Sequence, residues 1–128
     1  MHDGDGRLAA VIRLQADYAR YVDAGEAGAE AWSALYGSRG VLTISDGREI
    51  GDPGELAAFA ARAPRGVHLQ GVPTIEERPD GDIDSVSPFV FFNAETGAIV
   101  AGAYTDRMTW EEGRLVFAER HIEIKRPA

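Results

Sequence analysis

Apolar residues in the first third of the chain recur with helical spacing. Between residues 8 and 22 they fall three or four positions apart, which predicts a helix with one buried face, and Gly25 ends this pattern. A second, short helix is expected over residues 32–36, before Gly37. The two segments together predict a helical hairpin at the start of the chain.

The next segment combines a strand, a turn and a third helix. Residues 41–45 predict a strand, the Asp-Gly pair that follows predicts a turn, and residues 49–50 predict a short returning strand. Pro53 suits the first turn of a helix, and the apolar residues after it predict a helix that extends to about Arg62.

The second half of the chain has the pattern of β-strands. Four strand-like runs cover residues 67–77, 83–92, 98–110 and 114–125, and hairpin-like connections join them. Consecutive hairpins predict an antiparallel meander, and helices gathered at one end of the sequence predict an α+β fold with those helices on one face of the sheet. We expect residues 1–128 to form one domain, with residues 1–6 flexible.

Alternation along the third run brings polar and apolar side chains to the same face of the sheet. That face carries Val100, Gly102, Tyr104, Asp106 and Met108. A long curved sheet wrapped over a helical hairpin leaves a conical cavity open at one end, and polar groups that face inward would line a pocket there. The pattern therefore predicts an internal pocket in place of a solid core.

Composition narrows the class of protein. The 128 residues are 45% apolar and 27% charged, which is the balance of a globular domain. The net charge of −8 and the lack of a basic stripe argue against a nucleic-acid partner. The absence of cysteine excludes disulfides, thiolate metal sites and a cysteine nucleophile. Neither a signal peptide nor an apolar run of about 20 residues is present, so we expect a cytoplasmic protein with no membrane partner.

Three polar residues in apolar surroundings carry the candidate chemistry. Tyr18 and Asp23 lie late in the first predicted helix, and His68 opens a strand. An imidazole moves protons near neutral pH, a carboxylate can fix its tautomer, and a phenol can polarise a carbonyl group. Each residue also has a structural interpretation, as a core tyrosine, a solvated carboxylate at a helix end and a satisfied strand histidine.

Four stretches of the chain, taken in order, resemble one known family. They are residues 18–25, residues 32–36, His68 followed by Ile75, and residues 102–107 leading to Glu119 and Arg120. The chain resembles the SnoaL-like branch of the NTF2-like superfamily, which includes scytalone dehydratase, ketosteroid isomerase and polyketide cyclases. The resemblance implies a cone of N-terminal helices packed on a strongly curved antiparallel sheet, with an internal pocket.

The resemblance also implies an activity. Tyr18, Asp23 and His68 occupy the positions of the catalytic group in the dehydratase-like members. This implies a cofactor-independent lyase of the dehydratase type that acts on an apolar, carbonyl-bearing small molecule, such as a polyketide- or steroid-like ring, and that forms a homodimer. Val67 stands where the family commonly has arginine, and Val72 where it commonly has asparagine, so these two positions depart from the family pattern and bear on the substrate and the reaction.

Two other functions stay open. An isomerase or an aldol-type cyclase would use the same proton-transfer unit, and a noncatalytic small-molecule-binding or dimerisation module would have the same fold. The residues that we expect to line the pocket and bind the substrate are Tyr104, Asp106, Trp32 and Phe59. His121 between Glu119 and Glu123 is interpreted as part of a solvated strand face, so no metal and no cofactor are expected.

Overall fold

The computed structural model describes residues 4–126, which form three α-helices and a seven-stranded sheet. The helices are α1 (Gly4–Asp23), α2 (Ala29–Ser33) and α3 (Pro53–Ala61), and a 3-10 turn, Gly25–Gly28, joins the first two. The strands are β1 (Tyr36–Ile44), β2 (Glu49–Ile50), β3 (Gly66–Gln70), β4 (Thr74–Glu77), β5 (Ile83–Asn93), β6 (Ile99–Glu111) and β7 (Arg114–Arg126).

The sheet has the strand order β2-β1-β7-β6-β5-β3, and β4 also pairs with β5. Strands β5, β6 and β7 form the expected antiparallel meander, which confirms the α+β fold. One feature goes beyond the prediction: β1 pairs in parallel with β7, so the curled sheet is mixed. Register shifts between β6 and β7 bend these long strands over the helices.

Helix α1 has the predicted amphipathic character. Its buried face consists of Val11, Leu14, Gln15, Tyr18 and Val22, three or four residues apart, whereas Leu8 and Ile12 of the predicted apolar pattern are exposed. Gly25 follows the helix with a φ of +65°, a left-handed conformation that favours glycine, so the chain turns where the sequence predicts. The last two turns of α1 carry Tyr18 and Asp23 towards β3.

Three predicted elements have different boundaries in the structure. The strand expected over residues 41–45 is β1, Tyr36–Ile44. The short helix expected over residues 32–36 is α2, Ala29–Ser33, and Tyr36 instead begins β1, where it pairs with Phe117. The single run expected over residues 67–77 is two strands, β3 and β4, both paired with β5. The break includes Pro73, which has no N–H group to donate to a strand ladder.

The structure bears on the N-terminal residues, which were expected to be flexible, and on possible membrane-spanning helices. Residues 1–3, including His2, lie outside the described residues, and residues 4–6 form the first turn of α1. Within residues 4–126, no helix combines the length and the hydropathy needed to cross a membrane.

Candidate functional site

A cavity of about 760 Å³ lies between the helices and the inner face of the sheet. Its wall is mostly apolar and is contributed by α1, α3 and six of the strands; the side chains include Val22, Phe89, Phe91, Val100 and Ile122. The exposed charged residues of the lining form the mouth: Asp46, Arg48, Glu55 and Arg62. The predicted internal pocket is therefore present, with an aromatic and aliphatic interior and a charged rim.

Asp23 and His68 form a direct pair at the cavity wall. Asp23 Oδ1 lies 2.6 Å from His68 Nδ1, and Asp23 Oδ2 accepts a 2.9 Å hydrogen bond from the His68 backbone N–H. Asp23 is the last residue of α1, and His68 lies at the centre of β3, opposite Phe91 of β5. The fold thus joins two residues that are far apart in sequence, as the candidate chemistry requires.

The pairing determines which ring nitrogen of His68 is available. With the carboxylate accepting from Nδ1–H, the neutral ring carries its proton on Nδ1 and its lone pair on Nε2. His68 lines the cavity, and within residues 4–126 Nε2 has no hydrogen-bond partner. The ring can therefore accept a proton from a molecule in the cavity.

Tyr18 stands beside His68 with its ring at the cavity wall. The two ring centroids are 6.3 Å apart in an edge-to-face arrangement, and the Tyr104 centroid lies 5.4 Å from that of Tyr18. Burial raises the pKa of the Tyr18 hydroxyl above its usual value, although Arg120 and a hydrogen bond with Tyr104 act to lower it. Burial also raises the pKa of Tyr104, so both phenols keep their protons. Tyr104 donates to Tyr18, which leaves the O–H of Tyr18 for a molecule in the cavity.

Behind the two tyrosines lies a buried ion pair that the sequence did not predict. Arg120 Nε and Nη2 donate to the Asp106 carboxylate at 2.8 and 3.0 Å, and Nη2 also donates to Gln15 Oε1. Neither charged side chain is exposed to solvent. Burial raises the pKa of Asp106 while Arg120 opposes that rise; burial lowers the pKa of Arg120, but Asp106 raises it overall, so the guanidinium stays charged.

The structure separates the four residues expected to bind substrate into two groups. Tyr104 and Phe59 line the cavity, as expected. Trp32 does not; it is fully buried behind the wall, stacked on Phe59 with ring centroids 5.7 Å apart. Asp106 does not line the cavity either, because its carboxylate is directed to Arg120 and Gln15.

The remaining histidine of the described chain has a structural partner. His121 Nδ1 lies 2.7 Å from Thr43 Oγ1, on the strand pair β1 and β7. Residues 4–126 contain no group of three or more histidine, aspartate or glutamate side chains placed to hold a metal ion.

Comparison with solved structures identifies the same fold at low sequence identity. A protein of unknown function from Mycobacterium tuberculosis superposes with a TM-score of 0.84 and 23% identity, covering 95% of this chain and 73% of that one. An NTF2-like protein with a cystatin-like fold from Novosphingobium aromaticivorans gives 0.80 and 17%, covering 94% and 82%. A putative scytalone dehydratase from the same organism gives 0.76 and 16%, covering 94% and 85%.

Sequence comparison gives the family. No curated protein sequence matches the chain. The family model of the SnoaL-like domain matches residues 7–121, which include every helix and strand apart from the ends of α1 and β7. The chain therefore belongs to the SnoaL-like family and has its NTF2-like fold.

Proposed function

We propose that the protein is a cofactor-independent lyase of the dehydratase type, with His68 as its general acid and base. One observation carries the proposal: Asp23 holds Nδ1 of His68 at 2.6 Å on the wall of a cavity of about 760 Å³, with Tyr18 beside the ring. A positioned acid/base group of this kind contributes about 10²- to 10⁴-fold to a rate.

The three residues supply the parts of a β-elimination of water. His68 Nε2 removes the proton from the carbon next to a carbonyl group, and the electron pair moves into an enolate. The Tyr18 hydroxyl donates a hydrogen bond to the enolate oxygen, and Asp23 stabilises the imidazolium that has formed. The enolate then collapses, the carbon–oxygen bond at the β-position breaks, and the imidazolium returns its proton to the departing hydroxide, which leaves as water.

The cavity wall indicates the class of substrate. Phe89 stacks on Tyr104 with ring centroids 4.3 Å apart, and Phe59, stacked on Trp32, also lines the cavity. Aromatic walls of this size favour a flat, apolar molecule, and the proton chemistry requires a carbonyl group and a hydroxyl on it. A polyketide- or steroid-like ring with a β-hydroxy carbonyl fits both requirements.

The proposal is tested by replacing His68. His68→Ala is expected to lower turnover of β-hydroxy ketones with fused rings by about 10²-fold or more, with the fold intact by circular dichroism. His121→Ala is the matched control, because this second strand histidine bonds to Thr43 and does not line the cavity. Full activity of His68→Ala with a substrate that the parent chain dehydrates would end this mechanism.

An isomerase or aldol-type cyclase is the alternative that the same unit supports. Its steps also begin with proton removal by His68, and they differ in the fate of the enolate. Mass analysis of the product separates the reactions, since dehydration removes one water and isomerisation leaves the mass unchanged. A noncatalytic binding module is less well supported, because Asp23 and His68 are in contact and the cavity is not filled by side chains.

We also propose a homodimer that forms through the outer face of the sheet. Val67, Leu69, Val90, Phe92 and Ile99 are all at least 36% exposed, and strand register makes them neighbours on β3, β5 and β6. A contiguous apolar face of this kind is typical of an interaction surface.

Leu69→Lys is expected to shift the mass in solution from dimer to monomer. Val72→Lys, on a residue outside the three strands, is the control; a parent chain that is monomeric at high concentration would contradict the proposal.

A further inference from the structure

A buried cation lies behind the two phenols of the cavity. The guanidinium carbon of Arg120 is 3.5 Å from the centroid of the Tyr104 ring and 4.2 Å from that of the Tyr18 ring. Tyr18 and Tyr104 line the cavity, whereas Arg120 does not and has no exposed surface. The positive charge therefore contacts the faces of both rings from the side remote from the cavity.

The polar contacts of Arg120 fix the orientation of the guanidinium. Asp106 accepts from Nε and Nη2, and Gln15 accepts from Nη2. Nη1 is buried and has no hydrogen-bond partner within residues 4–126. One edge of the guanidinium is thus paired with the carboxylate, and its flat face contacts the aromatic rings.

A cation in this position changes what a phenol can do. It attracts the electron density of the ring face, and in a water-poor interior this attraction is worth more than at a surface. A phenol polarised in this way donates a stronger hydrogen bond to a negatively charged oxygen. Arg120 acts to lower the pKa of Tyr18 and Asp106 acts to raise it, and the effect of Arg120 is the larger. The same order holds for the pKa of Tyr104.

We propose that Arg120 is a positioning residue that strengthens Tyr18 as a hydrogen-bond donor to an oxyanion in the cavity, without touching the ligand itself. The ligand class is a phenolate or enolate on a flat apolar ring. The inference rests on the proposed function only for the role of Tyr18 as donor; it does not require turnover. The titratable side chains that face Tyr18 are His68, Tyr36, Tyr104, Asp106 and Arg120.

Binding of naphthols tests the inference without a known substrate. The probes are 2-naphthols whose ring substituents vary the acidity of the hydroxyl, and naphthalene, which has the same ring and no oxygen. Arg120→Met combined with Asp106→Asn removes both buried charges and avoids leaving a lone carboxylate in the core. This double variant is expected to weaken binding of the most acidic naphthol about tenfold and that of naphthalene less than about twofold.

Asp106→Asn alone is the decisive control, because it breaks the same ion pair and leaves the cation in place. We expect it to tighten binding of the acidic naphthol, the opposite of the double variant. Equal weakening of naphthol and naphthalene in both variants would show that the ion pair only supports the fold, and would overturn the inference. Failure of every naphthol to bind the parent chain would also overturn it, since the Tyr18 hydroxyl would then be inaccessible.

Tyrosine ionisation gives a second, ligand-independent measurement. Ultraviolet absorbance of phenolate is followed against pH in each variant and in its Tyr18→Phe counterpart, over the pH range in which circular dichroism shows the chain folded, so that the difference reports Tyr18 in the folded state. The double variant should ionise Tyr18 at higher pH than the parent chain, and Asp106→Asn at lower pH. If the double variant does not fold, Asp106→Asn still decides, since an unchanged or raised Tyr18 pKa contradicts the inference. If the His68 variants keep full turnover, the lyase proposal is wrong, but these binding results still test the role of Arg120.

Discussion

Both carboxylate oxygens of Asp23 contact His68, one at the ring and the other at the backbone. Oδ1 lies 2.6 Å from Nδ1, and Oδ2 accepts from the backbone N–H at 2.9 Å. The same carboxylate therefore fixes the rotation of the imidazole and the position of its strand relative to the end of α1. These two contacts hold together a helix end and a strand that are remote in sequence.

Asp23→Asn tests this double contact. An amide has one acceptor, so it can serve either the backbone N–H or Nδ1–H of His68, and its NH₂ group must face the other. If the NH₂ group donates to Nδ1, the ring proton moves to Nε2, and the base is lost. We expect turnover to fall by about 10²- to 10⁴-fold with little change in substrate affinity.

The control for this variant is Asp17→Asn, on the same helix. Asp17 pairs with Arg13 and Arg20 at 3.1 Å and does not line the cavity. Its loss should leave turnover unchanged within about twofold, because exposed ion pairs contribute little. Equal activity of Asp23→Asn and Asp17→Asn would remove Asp23 from the mechanism.

Gly66 is required for the close approach of β3 to β5. A Cβ at this position would lie 2.0 Å from the carbonyl oxygen of Phe92 and 2.7 Å from the ring of Phe91. Gly66→Ala therefore forces β3 away from β5, and we expect it to lower the free energy of unfolding by about 2 kcal/mol. Because His68 lies two residues further on, turnover should fall as well.

Gly51→Ala is the matched control for Gly66→Ala. A Cβ at Gly51 would have its nearest neighbours at 3.6 and 3.8 Å, which is ordinary van der Waals contact. We expect its free energy of unfolding, measured by urea denaturation, to stay within about 0.5 kcal/mol of the parent value. A stable and fully active Gly66→Ala protein would show that the strand can shift without cost.

The sequence predicts the elements of this fold better than their ends. The apolar periodicity of α1 predicts the helix and most of its buried face, although Leu8 and Ile12 are exposed and the polar Gln15 is buried. The short α2 has only five residues, and the aromatic Tyr36 that follows it is compatible with either a helix or a strand. Pairing with Phe117 places Tyr36 in a strand. The parallel pairing of β1 with β7 has no local signal, because it joins segments about 80 residues apart.

The buried ion pair illustrates what alternation alone cannot predict. Asp106 was expected on the inner face, and the structure confirms that it is buried there. Leu115 and Phe117 are buried at odd positions of β7, so strict alternation would direct Arg120 outward. A register shift near Phe117 moves the inner face to even positions, and Arg120 then faces Asp106 directly. Such an irregularity arises from the curvature of the whole sheet.

Tyr36→Phe should stabilise the protein. The Tyr36 hydroxyl is buried and has no hydrogen-bond partner within the described residues. A buried hydroxyl without a partner loses its hydrogen bonds to water on folding and makes none in the protein. Its removal is therefore expected to raise the free energy of unfolding by about 1 kcal/mol. Tyr36 does not line the cavity, so turnover should not change. A lower melting temperature would mean that the hydroxyl makes a favourable interaction.

Alkaline pH should unfold the protein through three buried tyrosines. Burial raises the pKa of the Tyr18, Tyr36 and Tyr104 hydroxyls in the folded chain above the usual value of 10.0. Above about pH 10 the unfolded chain releases these protons and the folded chain keeps them, so the free energy of unfolding falls as the pH rises. Each tyrosine contributes about 1.4 kcal/mol per pH unit until its folded-state pKa is reached.

Urea denaturation at a series of pH values between about 8 and 11.5 measures this loss. The free energy of unfolding should be nearly constant at the lower end and then fall by up to about 4 kcal/mol per pH unit as all three phenols contribute. Tyr36→Phe should reduce the slope of the free energy of unfolding against pH by about one third, because only two of the three tyrosines then contribute. A slope that is the same in the parent chain and in Tyr36→Phe would show that this hydroxyl ionises equally well in the folded chain, which its complete burial opposes.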